Sequence, residues 1–137
     1  MDAAATLNAL PEPILRFLDA PRFATISTLM PDGSPHQAVV WYQLDGDSLL
    51  INSRRGRRWP ANLERDPRIS LAVYDDACPE HWVGVRGLAA VLRDGPAALL
   101  DIQALARRYD GNPDEYVGQD RVTFRIRIVT TFEYGDD

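Results

Sequence analysis

Apolar and polar positions alternate through most of this chain, and the interruptions fall on turn-forming residues. Ile14, Phe17 and Leu18 have the spacing of a short amphipathic helix, entered at Pro13 and ended by Pro21. Residues 23–29 are rich in β-formers, Met30-Pro31-Asp32-Gly33-Ser34-Pro35 concentrates turn residues, and residues 36–44 are extended again, so a hairpin is expected. Asp45-Gly46-Asp47 then predicts a tight turn into a third strand over residues 48–52, which makes three sequential antiparallel strands.

Further along, Pro60 is tolerated only in a first helical turn, so a short helix is expected to start near Trp59 and to end at Asp66-Pro67. Residues 69–74 read as a fourth strand. A fifth spans about residues 82–92, with Val83, Val85, Ala89 and Val91 on one face and Arg86 on the other. Gly84 and Gly87 predict a bend or bulge within it. Pro96 opens a helix in which Ala98, Leu99, Ile102, Leu105, Ala106 and Tyr109 recur at helical spacing, closed by Asp110-Gly111-Asn112-Pro113. Residues 122–132 alternate Val122, Phe124, Ile126 and Ile128 against Thr123, Arg125, Arg127 and Val129, the period of a half-buried strand. Six strands and a helix inserted before the last predict a mainly β protein, a small antiparallel barrel with helices at its rim; an open sheet fits the same alternation.

Composition narrows the picture. At 137 residues, 45% of them hydrophobic, the chain is expected to form one domain with an apolar core. Cys78 is the lone cysteine, which removes intramolecular disulfides and multi-cysteine zinc sites and points to a reducing, cytoplasmic setting. No apolar run approaches the roughly 18 residues of a membrane span, and MDAAATLNALPEP has no basic start followed by an apolar stretch, so neither membrane insertion nor secretion is expected. The net charge of −5 argues against general nucleic-acid affinity. All fifteen basic residues are arginine, so lysine Schiff-base chemistry is excluded and any anion must be held by guanidinium forks.

Standard catalytic constellations are missing: two histidines, His36 and His81, are present, both expected to face solvent, and there is no HExxH, GxSxG, Walker loop or GxGxxG. Cys78, beside Asp75, Asp76 and Glu80, is a poor nucleophile. What stands out is Arg54, Arg55, Arg57 and Arg58 crowded around Gly56, after a strand and before a helix, where guanidinium and helix-terminal N–H groups can converge on a phosphate. The ordinary alternative is a solvated basic turn paired with Asp45, Asp47 or Glu64. Trp41, Tyr42, Trp59 and Trp82 offer flat faces to a planar ring; core packing explains them equally, Trp41 above all, while Trp59 beside the arginines suits a clamp over a bound cofactor.

The run Phe23-Ala24-Thr25-Ile26-Ser27-Thr28-Leu29-Met30-Pro31-Asp32-Gly33-Ser34-Pro35-His36, then Val40-Trp41-Tyr42, Asp45-Gly46-Asp47, the arginine loop and Asn62-Leu63-Glu64-Arg65-Asp66-Pro67-Arg68, resembles the pyridoxamine 5'-phosphate oxidase-like split-barrel superfamily. More narrowly it resembles the branch that uses the deazaflavin coenzyme F420. The resemblance covers residues 13–134 in order, including Trp82 to Val91 and the Arg121-Val122-Thr123-Phe124-Arg125-Ile126-Arg127 strand. It implies a six-stranded split β-barrel with short flanking helices, forming a homodimer with cofactor grooves at the subunit interface. It further implies phosphate contacts from Asn52, Ser53, Arg54, Arg57, Arg58 and Asn62, and a strand of Gln37, Ala38, Val39, Val40 and Trp41 beneath the ring. Many relatives carry lysine where this chain has Trp59, so here the arginines must carry the phosphate. The activity implied is hydride transfer between reduced deazaflavin and a small unsaturated substrate, with Trp59 or Trp82 shaping the substrate side. FMN in the same groove, or a carrier that binds such a ligand without turnover, are the alternatives.

Overall fold

The computed structural model describes residues 10–135, so most of the amino-terminal segment read above for a targeting signal lies outside the described residues. The elements in chain order are α1 (Glu12–Asp19), β1 (Ala24–Leu29), β2 (Pro35–Val40), β3 (Gln43–Asp45), β4 (Ser48–Arg54), α2 (Arg58–Arg65), β5 (Arg68–Asp75), β6 (Cys78–Asp94), α3 (Gly95–Arg108), a 3-10 turn (Pro113–Tyr116) and β7 (Arg121–Tyr134). None of the described helices is long and apolar enough to cross a membrane.

All seven strands form one antiparallel sheet in the order β2-β1-β5-β6-β7-β4-β3. Its two edges, β2 and β3, are consecutive in the chain and separated by Trp41 and Tyr42 alone. The three steps from Val40 to Gln43 span at most about 11 Å, so the edges must lie close together and the sheet curls into a barrel, open at this seam. The alternation that fits a barrel or an open sheet is thus resolved in favour of the barrel.

The expected strand over residues 36–44 is two strands, which raises the number from six to seven among the described residues and breaks the expected meander: β2 pairs with β1, and β3 with β4. The break is held from a distance. Tyr42 is fully buried, its hydroxyl donates to Ala20 O at 3.1 Å, and its N–H donates to Tyr109 Oη at 3.3 Å. The Trp41 ring stacks on Tyr109 with centroids 5.1 Å apart and planes 9° from parallel. Burying Tyr42 while stacking Trp41 takes the chain out of one edge and into the other.

Ile26, Leu49, Ile51, Val73, Val83, Phe124 and Ile126 line the barrel interior at 0% exposure, joined by Ile14, Phe17 and Leu18 from α1 and Trp59 and Leu63 from α2. The helix α3 packs on the other side of β4 and β7, burying Ala98, Ile102, Leu105 and Ala106. Strand β6 carries the irregularity expected from its glycines, between Arg86 and Gly87, and a second between Val91 and Arg93. Val91, expected inside, is exposed. His81, expected to face solvent, packs its ring on Phe17 with centroids 4.7 Å apart. Cys78 is exposed, and no cluster of metal-ligating residues occurs among the described residues.

Candidate anion and ring site

Strand alternation assigns the two faces of β4. Leu49 and Ile51 point into the barrel, and Asn52 and Arg54 point outward, beneath and beyond α3. The partner strand β7 runs antiparallel in a register that sets Asn52 opposite Thr123 and Arg54 opposite Arg121. Gly56, at φ +98°, turns the chain from β4 into α2, and the extended residue Arg57 precedes the first helical residue. Between the end of β4, the start of α2, α3 and the seam at Trp41 opens a cleft of about 340 Å³.

Seven of the ten residues proposed from sequence line this cleft: Val39, Trp41, Asn52, Ser53, Arg54, Arg57 and Trp59. Phe23, Val40, Ile102, Leu105, Tyr116 and Arg121 complete it. Three lie elsewhere. Gln37 is on the outer face of the sheet, in a separate depression with Trp82, Arg86 and Phe132. Arg58 is exposed in the first turn of α2. Asn62 is 1% exposed and its amide donates to Thr28 Oγ1 at 3.0 Å, so it ties α2 to β1.

One end of the cleft is cationic. Arg54, Arg57 and Arg121 meet there, and no carboxylate among the described residues pairs with any of them. Arg55 behaves otherwise: it pairs with Glu64 at 2.9 Å and Asp94 at 3.5 Å, the ordinary fate of a surface arginine. Arg121, 7% exposed, donates from Nε to Asn52 Oδ1 at 2.9 Å and from Nη1 to Gln119 Oε1 at 2.8 Å, and sits over the Tyr116 ring at 5.1 Å. Burial lowers its pKa to about 10; the neighbouring Tyr116 opposes this, while Arg57 and Arg54 push the same way. Cations facing each other across a strand pair repel, so this end is short of negative charge.

The other end is aromatic. Trp41 stands half-buried against Tyr109, whose ring lies 6.0 Å from that of Phe23, and the exposed Val39 forms the rim. The roles of the tryptophans invert the expectation: Trp59 is 5% exposed and tilts against Phe124 in the core, while Trp41 presents the accessible wall. Trp82 lies on the outer face, against Phe132 at 5.4 Å. Arg121 was named in the sequence only as part of the last strand. Its one signal was the alternation of β7, which fixes its face but not the neighbour across the sheet.

A family model described as pyridoxamine 5'-phosphate oxidase matches residues 10–134. No curated protein matches the chain. Among solved structures, an F420 reductase is 28% identical, covering 90% of this chain and 98% of its own, with a TM-score of 0.76. A conserved hypothetical protein from Mycobacterium tuberculosis is 26% identical over 92% of this chain and 85% of its own, with a TM-score of 0.75. The heme storage protein of Vibrio cholerae, 19% identical over 90% and 94% with a TM-score of 0.72, shares the fold.

Proposed function

Because the chain belongs to the pyridoxamine 5'-phosphate oxidase family, we propose that its cleft holds a phosphate-bearing deazaflavin, coenzyme F420, and that the protein is an oxidoreductase reducing a small unsaturated substrate. One observation carries this reading: Arg54, Arg57 and the buried Arg121 converge on one end of the cleft without a carboxylate among the described residues. A buried guanidinium is ordinarily paired, and an anionic ligand supplies the missing partner. The likeness to an F420 reductase, 28% identical, favours deazaflavin over FMN.

The residues fit such a group. Arg54, Arg57 and Arg121 would hold its phosphate with charge-assisted hydrogen bonds, helped by the start of α2, which has no side-chain cap. Trp41, Phe23 and Val39 would border the ring. Ile102, Leu105 and Trp59 line the floor with apolar surface and keep water from it. When bound, the deazaflavin supplies the hydride-transfer chemistry; the chain itself needs to bind, orient and desolvate, which accounts for a cleft without histidine. In this reading the active unit is a homodimer whose second copy covers the open side of the cleft.

The test is a titration followed by the fluorescence of Trp41 and Trp59, both in the cleft. F420 is expected to bind tighter than FMN, and Arg57→Ala to weaken it by about tenfold or more, since each charge-assisted contact contributes roughly 1.5–3 kcal/mol. Bound reduced F420 is then expected to lose its hydride to one of a panel of enones and quinones. Tighter binding of FMN would move the chain to flavin chemistry, and tight F420 binding with an inert panel would make it a carrier.

A further inference from the structure

Arg121 is held by a chain of hydrogen bonds that begins at a charge which does not itself line the cleft. Arg93 grips Asp101 of α3 with two bonds, Nε to Oδ2 at 2.7 Å and Nη2 to Oδ1 at 3.2 Å. The Thr123 hydroxyl is 2.7 Å from Asp101 Oδ2, and a carboxylate only accepts, so the hydroxyl proton is committed there. Thr123 Oγ1 therefore turns a lone pair toward Asn52 Nδ2, 2.8 Å away, whose other hydrogen goes to Ala98 O at 2.9 Å. Both amide hydrogens are used, which leaves Asn52 Oδ1 to accept from Arg121 Nε. Asn52 and Thr123 are 8% and 1% exposed, so water does not offer ready substitutes for these bonds.

We infer that Thr123, which does not itself line the cleft, is a positioning residue of the anion site: its hydroxyl passes the polarity set by Asp101 through Asn52 and fixes the Arg121 guanidinium in the cleft. This rests on the reading of the cationic end as an anion site. Arg121 needs such a device because Arg54 stands opposite it and Arg57 joins them in the same cleft, and repulsion would otherwise drive the guanidinium outward. Two side chains, Thr123 and Asn52, stand between Asp101 and Arg121, so the relay supplies an acceptor to Arg121 without placing a carboxylate where the ligand's anion must go.

The experiment titrates inorganic phosphate against the wild type, Thr123→Val, Thr123→Ser and Arg121→Ala, reading tryptophan fluorescence and the Arg121 Nε–H NMR resonance. Thr123→Val keeps the side-chain shape and removes the hydroxyl; it is expected to weaken phosphate about three- to tenfold, the worth of one hydrogen bond. Thr123→Ser should bind within about twofold of the wild type, because the hydroxyl is restored. In the wild type the Arg121 Nε–H should exchange slowly with solvent, and in Thr123→Val it should shift and exchange faster. Wild-type affinity in Thr123→Val, equal losses in the valine and serine variants, or rapid exchange in the wild type each overturns the positioning role. That last measurement stands even if the valine variant does not fold. Arg121→Ala separates the two ideas: phosphate binding undiminished in that variant overturns the anion site itself, whereas loss there with none in Thr123→Val overturns only the relay.

Discussion

Arg55 and Arg121 are the same residue type with opposite surroundings, and the contrast decides what each substitution does. Arg55 pairs with Glu64 and Asp94 at the surface, so Arg55→Ala should change stability by less than about 1 kcal/mol and leave phosphate affinity unaltered. Phosphate should raise the melting temperature of the wild type and of Arg55→Ala, since a ligand that binds only the folded state stabilises it, and should raise that of Arg121→Ala distinctly less. A thermal melt series with and without phosphate reads both outcomes. The pH dependence has a definite sign. Burial holds the Arg121 pKa down to about 10 in the fold, below its ordinary value, so the guanidinium is charged and attracts an anion at neutral pH and loses that charge as pH rises through 10. Phosphate affinity should hold from neutral pH to about 9 and fall as pH rises through 10, with a smaller fall in Arg121→Ala. Affinity flat through pH 11 would show that burial does not strip Arg121 of its charge in this range. The loop arginines were legible because they crowd into five positions. Arg121 was not, because Asn52, its acceptor, lies 69 residues away in sequence. Asn62 and Arg58 share the loop's neighbourhood in sequence, yet helix α2 turns one into the core and the other to solvent.

Among elements, the β6–β7 ladder constrains the two glycines of β6 differently. A Cβ on Gly87 would lie 2.6 Å from Arg127 O, a backbone atom fixed by the sheet. A Cβ on Gly84 would lie 2.1 Å from Phe132 Cζ, the far end of a ring that is 47% exposed and able to swing away. Gly87→Ala should therefore cost about 2 kcal/mol or more, in the range of overpacked sites, and Gly84→Ala distinctly less, as shifts in the urea midpoint with unchanged slope. The opposite ranking would mean that β7 moves more readily than the Phe132 ring. The sequence carried most elements because period and turn chemistry are local: the Asp32-Gly33 hairpin, the Pro96 helix start and the alternation of β7 all fall within two residues of their expected places. What it could not carry is the break at Trp41 and Tyr42. An apolar run continues from Ala38 through Tyr42 without a turn residue, and the partner that ends β2 is Tyr109, at the end of α3 and 67 residues after Tyr42.

Over the whole molecule, the outer face of the barrel is too apolar to be left to water. Phe132 and Tyr134 are 47% and 63% exposed beside Trp82, and a shallow groove of about 440 Å³ continues from them between Leu29, Ile69, Leu88 and Val129. Arg68 and Arg86 border that groove. In an acidic chain, a face of this kind is suited to a second copy, which would also bring partner residues toward the open side of the cleft. Light scattering should then give twice the 15.4 kDa chain mass at micromolar concentration. Val129→Glu is the informative variant. Val129 is skipped in the β6–β7 register, so its substitution breaks no ladder contact, and the new carboxylate would face Arg68 and Arg86 within one chain. The variant should remain folded, with a melting temperature within a few degrees of the protein's own, but become a monomer, because the longer charged side chains of both copies would have to be desolvated and fitted into the seam. If the partner completes the cleft, F420 affinity should fall with dimerisation while phosphate affinity, set by Arg54, Arg57 and Arg121 of one chain, should persist. A wild-type monomer that binds F420 as tightly as any dimer would show instead that one barrel suffices.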